Sequence, residues 1–133
     1  MRTSNQRHKH PVLVVEDEDL VRLCAHDMLE EEGFEVIEAN SADAAMLIMA
    51  QREDVRVLFT DIQMPGTFDG LELAYRVHAQ WPHVLLLITS GGRVPLGAEI
   101  ADHGRFLRKP YRGLDVVQAI RVLEEEAAER NRG

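Results

Sequence analysis

The chain has 133 residues, 45% hydrophobic and 29% charged, which suits one domain with an ordinary core. Its 15 lysines and arginines against 23 acids leave a formal net charge of −8, which argues against direct nucleic-acid binding, because attraction to phosphate dominates such affinity. Cys24 is the only cysteine, so an internal disulfide is excluded, and its place in a helical pattern marks it as a small core residue rather than a reactive thiol.

Residues 1–10 are polar and basic, with no apolar signal core, and are expected to form a disordered arm; His8 and His10 read as solvated rather than metal-binding. Pro11 opens a first strand, Val12, Leu13, Val14 and Val15, which runs into Glu16 and Asp17. Residues 18–32 read as a helix with Leu20, Cys24 and Met28 on its apolar face, and Gly33 sits where a left-handed cap ends it. A second short strand follows over residues 34–37. Ser41 is a good N-cap for a helix to about Arg52. The longest apolar stretch, residues 44–50, is far too short to span a membrane, and the chain is expected to be cytoplasmic.

The third strand covers residues 55–60 and ends at Asp61; a loop with Pro65, Gly66 and Gly70 leads to a helix over residues 71–80, which Pro82 stops. The fourth strand, from Val84 to Thr89, is too apolar for either face to be exposed, and Ser90 follows it. Residues 91–104 hold four glycines and Pro95, so any helix there begins no earlier than about Val94 and is short. The fifth strand, Arg105, Phe106, Leu107 and Arg108, ends at Lys109. Val116, Ile120, Leu123 and Ala127 then mark a last amphipathic helix. Five strands alternating with five helices imply an α/β fold with a parallel sheet. Two five-stranded arrangements carry weight, a Rossmann half and the flavodoxin-like (βα)5 order 2-1-3-4-5. The second puts strands 1 and 3 at the switch point, where such sheets bind ligands.

Those two strands end in Glu16-Asp17 and in Asp61, while the fourth and fifth end in Ser90 and Lys109. Three neighbouring carboxylates repel unless a cation sits among them, and Mg²⁺ suits one or two carboxylates plus a phosphate. Asp61 is also a possible nucleophile toward phosphorus, with Lys109 to hold the phosphoryl oxygens. Glu18 and Asp19 read as solvated loop acids. A haloacid-dehalogenase-type phosphatase wants a second Asp where Gln63 stands, and no glycine-rich nucleotide loop follows any strand.

Taken together, Val12 to Asp17, Asp61-Ile62-Gln63-Met64-Pro65, Asp69-Gly70-Leu71-Glu72-Leu73, Thr89-Ser90-Gly91 and Lys109-Pro110 resemble the response-regulator receiver domain of two-component signalling. The resemblance implies that Asp61 accepts a phosphoryl group from a histidine kinase or histidine phosphotransferase. It implies that Glu16, Asp17, Asp61 and the Gln63 backbone carbonyl surround Mg²⁺. It also implies that Ser90 (or Thr89) and Lys109 contact the phosphoryl group, with Phe106 as the switch aromatic. Glu16 departs from the family's more frequent Asp, the loop after Met64-Pro65, through Gly66-Thr67-Phe68, is one residue longer than usual, and residues 91–104 are shorter and more glycine-rich than the usual fourth helix. The expected protein is a receiver over residues 11–129 with no output domain, not a turnover enzyme, which signals through a downstream protein effector without touching nucleic acid or membrane. The alternatives are an unphosphorylated interaction module of the same fold and an aspartyl-phosphate phosphatase.

Overall fold

The computed structural model describes residues 11–132. Five strands form one parallel sheet in the order β2-β1-β3-β4-β5. They are β1 (Val12–Val15), β2 (Val36–Ala39), β3 (Val57–Asp61), β4 (Leu85–Ser90) and β5 (Arg105–Arg108). Four α-helices connect or follow them: α1 (Asp19–Glu31), α2 (Ala42–Gln51), α3 (Gly70–Gln80) and α4 (Gly113–Arg132). The expected basic arm and its two histidines lie outside the described residues, and α4 continues past residue 129 to Arg132.

Alternation along the strands sorts the core into two layers. Leu13, Val15, Leu58, Leu86 and Ile88 face α2 and α3, meeting Ala45, Met49, Leu73 and Val77. Val12, Val14, Phe59 and Leu87 face α1 and α4, meeting Ala25, Leu29, Val116, Ile120 and Leu123. Every residue of β1, β3 and β4 is buried, as the continuous apolar runs require of strands covered on both sides. Each fully buried Leu or Val contributes roughly 1.5–3 kcal/mol relative to exposure.

Local chemistry sets the boundaries. Ser41 caps α2, its hydroxyl accepting the Ala44 N–H at 3.1 Å, and Asp69 caps α3 by accepting the Glu72 N–H at 3.0 Å. Gly33 takes φ +95° beyond α1, the conformation a side chain resists. Three expectations are corrected. The second strand starts at Val36 rather than residue 34, because the Phe34 N–H caps α1 by donating to the Leu29 carbonyl at 3.1 Å. No α-helix follows β4: residues 91–104 hold only a 3₁₀ turn, Gly97–Glu99, since the glycines and Pro95 disfavour anything longer. Cys24 is exposed, not core. The helix buries Ala25 and Leu29 instead and turns Leu20 outward at 76% exposure.

Candidate functional site

The sheet register brings the chemically active residues level. Val15 pairs with Thr60, Asp61 with Thr89, and Ser90 with Arg108, so Glu16, Asp61, Ser90 and Lys109 stand side by side at the carboxyl edge. Glu16 and Asp61 are only 4% and 7% exposed, while Asp17 is half-buried. Glu16, Asp17 and Asp61 each offer a carboxylate oxygen within 4.8 Å of the others'. Three hard oxygen donors that close match the preference of Mg²⁺ for carboxylate and water ligands, so the donor set fits that ion.

Lys109 reaches into this cluster. Its Nζ donates to Glu16 Oε1 at 3.0 Å and to Asp61 Oδ2 at 3.2 Å. The other oxygens meet backbone donors: Glu18 N–H binds Glu16 Oε2 at 3.2 Å and Gln63 N–H binds Asp61 Oδ1 at 3.3 Å. Burial pushes the Glu16 carboxyl above the usual range, against the opposing effect of the Lys109 bond. Burial likewise works against the Lys109 charge, yet the Glu16 bond and the nearby Asp61 outweigh it and raise its pKa. Lys109 therefore stays an ammonium and neutralises part of a crowded negative site. Arg22 steadies the edge by donating to the Glu16 carbonyl at 2.8 Å and to Glu38 on β2 at 3.0 Å.

Ser90 and Thr89 part company here. Ser90 is buried, and its Oγ accepts the Gly92 N–H at 3.3 Å. It lies on the same sheet face as Ile88, whose partner across the ladder is Phe106. Phe106 is half-buried against that layer. Thr89 points to the opposite face, where its hydroxyl has no hydrogen-bond partner and lines a small void with Glu16, Asp61 and Tyr111. Glu18 and Asp19 are exposed, but Asp19 is not a loop residue: it opens α1 and pairs with Arg22 at 2.8 Å.

Two contributors escaped the sequence reading. Tyr111 stacks on Phe59 with centroids 5.5 Å apart, and burial pushes its phenol up to about 12. Its signal, an aromatic just past Lys109-Pro110, gains meaning only once β3 is placed beside it. Gly70 starts α3 so close to the Asp61 backbone that a Cβ would sit 1.9 Å from the Asp61 carbonyl oxygen. Its quoted motif position was visible, but the reason for glycine was not. Beside Lys109 and Gly91, exposed Leu20 and Cys24 and half-buried Met28 join Pro110 and Tyr111 in an open apolar groove of about 560 Å³.

Known proteins share this arrangement. The sequence profile of the response regulator receiver domain matches residues 12–121. The transcriptional regulatory protein FixJ of Azorhizobium caulinodans is 35% identical over 125 residues, covering 92% of this chain and 58% of FixJ. The response regulator protein FleR of Pseudomonas aeruginosa is 35% identical over 103 residues, covering 75% of this chain and 21% of FleR. The chain thus spans between a fifth and three-fifths of the length of these two regulators. A CheY-like response regulator receiver domain protein from Methanospirillum hungatei superposes with a TM-score of 0.76 at 25% identity, over 90% of this chain and 98% of that one. A receiver domain from Clostridium thermocellum, 23% identical with a TM-score of 0.76 over 90% of this chain and 97% of that one, has the same fold.

Proposed function

Because the chain belongs to the response regulator receiver family of two-component signalling, we propose that Asp61 is its phosphoacceptor. The donor is a phosphohistidine on a histidine kinase or histidine phosphotransferase. The observation that carries this reading is the buried Asp61 carboxylate, held at 3.2 Å by the Lys109 ammonium and flanked by Glu16 and Asp17. An Asp61 oxygen forms the new bond to phosphorus as the phosphorus–nitrogen bond of the donor breaks, and the imidazole leaves with that electron pair. Lys109, already charged, lies where it can bind the transferred oxygens without reorganising. Ser90 Oγ stands one strand further on, and Phe106 shares its face, so a serine drawn toward the phosphoryl group empties space that the ring can fill.

Glu16, Asp17 and Asp61, with the Gln63 carbonyl, would hold Mg²⁺. Bound there, the ion would supply positive charge against the oxygens of the transferring group. The apolar groove beside Lys109, lined by Leu20 and Tyr111, supports a protein donor, because it offers such a partner a surface to cover next to the site. The output is a phosphorylation-dependent contact with a downstream protein, and the chain turns over no free substrate.

Incubation with acetyl phosphate and Mg²⁺, followed by intact-mass spectrometry, tests the reading. The native chain gains one phosphoryl group and Asp61→Asn gains none. An equal gain in Asp61→Asn places the acceptor elsewhere. A folded native chain that never labels marks an interaction module, and sustained phosphate release from an unrelated phosphoester marks a phosphatase.

A further inference from the structure

The edge of the sheet opposite Asp61 carries the reverse charge. A cavity of about 410 Å³ lies there, between the C-terminal ends of α3 and α4 and the turns that enter β3, β4 and β5. Its charged and polar lining is Arg56, His78, His83, His103, Arg130 and Asn131; Leu85, Pro82 and Ala127 complete an apolar wall, and no carboxylate lines it.

The arginines are unspent. Arg22, Arg52, Arg76, Arg93, Arg105, Arg112 and Arg132 each have a carboxylate within 4.0 Å. Among the described residues, Arg56, Arg108, Arg121 and Arg130 show no carboxylate within that distance, and two of these four, Arg56 and Arg130, line the cavity. Three nearby acids are engaged elsewhere, Asp54 with Arg52, Glu126 with Arg105, and Glu129 with Arg132, and Asp102, next to His103 in sequence, does not line the cavity. His78 and His103 stand edge to face, 6.4 Å between ring centroids, and His103 is held at φ +70°, a left-handed backbone that few side chains adopt. Each imidazole offers an N–H whether charged or neutral, and each guanidinium offers a planar fork matched to phosphate or carboxylate. The histidines do not converge as metal ligands do; the only such cluster among the described residues is the acidic one.

We propose that this cavity binds a small organic anion bearing two or more phosphoryl or carboxylate groups, gripped by Arg56 and Arg130 and hydrogen-bonded by the histidines. Its volume suits a metabolite-sized ligand, since small-molecule sites span roughly 300–1,000 Å³. The site is independent of the phosphoacceptor reading, because it shares no residue with the Asp61 edge.

The test is titration of isotope-labelled protein with pyrophosphate and, separately, citrate, without Mg²⁺ and against matched sodium chloride. Amide shifts centred on Arg56, His83 and His103 are expected from one or both anions but not from the chloride. Which anion binds more tightly distinguishes phosphoryl from carboxylate recognition. Loss of one charge-assisted contact in Arg130→Gln, an exposed position near the end of α4, should weaken binding about tenfold. Labelling by acetyl phosphate should be unchanged in that variant, showing it to be folded. Shifts confined to Asp61 and Lys109, a response that chloride reproduces, or an unaltered titration in both Arg130→Gln and Arg56→Gln would overturn the proposal.

Discussion

His26 is placed between two acids, and its charge state decides what it contributes. Its Nε2 lies 3.1 Å from Glu30 on the next turn, and its Nδ1 lies 2.5 Å from Glu38 on β2, an ion-pair distance without hydrogen-bond geometry. Burial lowers its pKa, but the two carboxylates together outweigh that and raise it. A group whose pKa is raised on folding stabilises fully below its unfolded value and ceases to do so as pH climbs through the folded value. His26→Gln should therefore lower the urea midpoint at about pH 5.5 and leave it nearly unchanged at about pH 9, because the unperturbed imidazole titrates near 6.5. A constant deficit across that range would mean that His26 acts by packing alone. Gly70 permits a sharper statement. With a Cβ only 1.9 Å from the Asp61 carbonyl oxygen, Gly70→Ala must push α3 away from β3. The cost should exceed the roughly 1–3 kcal/mol of ordinary overpacking, read by urea denaturation.

Helix α1 shows what a helix gains from each of its faces. Leu29 is fully buried between the sheet and α4, so Leu29→Ala should cost about 2–5 kcal/mol. Leu20, on the same helix, is 76% exposed, and Leu20→Glu should stay within about 0.5 kcal/mol of the native chain. Paired chemical denaturation of the two variants checks both values. This helix is also where the sequence misled. Leu20, Cys24 and Met28 are spaced by four, and so are Ala25 and Leu29, so periodicity offers two stripes and cannot choose. The choice is made by tertiary partners such as Val12, Val14 and Phe34, which only the folded sheet brings into place. The strand ends were legible for the opposite reason. A fully buried parallel strand must be apolar throughout, so the first acid after Val15 or Thr60 marks the edge by itself. Ser90 could be aligned in the same way, whereas β5, with arginine at both ends and no buried residue, marks Lys109 only by its place in the series of strands. The Lys109 bonds to both Glu16 and Asp61, and the distinct faces of Ser90 and Thr89, depend on register, which no single strand encodes.

At the scale of the whole molecule, the two ends of the sheet are specialised by charge, with acids gathered around Lys109 at one end and arginines and histidines around a cavity at the other. The sides differ as well. The β3 side of Asp61 is backed by α3, whose first residue rests on the Asp61 carbonyl and whose Gly70 N–H donates to Ile62 O at 2.9 Å. The β4 side continues into residues 91–104, anchored at the far end by buried Ala101 and otherwise held by surface ties: Arg93 to Glu99 at 2.8 Å, Glu99 to the Leu96 N–H at 2.8 Å, and the Tyr75 hydroxyl to the Ala98 carbonyl at 3.3 Å. Hydrogen exchange with and without beryllofluoride should register its largest change in residues 91–104. Equal protection there, with the change in α3 instead, would contradict this.

The close approach of Gly70 to Asp61 thus has a mechanical meaning. If Asp61 is phosphorylated as proposed, a force generated at its carboxylate should meet an anvil on one side and a spring on the other, and displacement should follow the spring. Glycine at position 70 supplies the rigidity of the anvil by removing the atom that would have held the two backbones apart. On the proposed phosphorylation of Asp61, the direction in which this receiver deforms should follow from that missing methyl group, and Gly70→Ala should blur it.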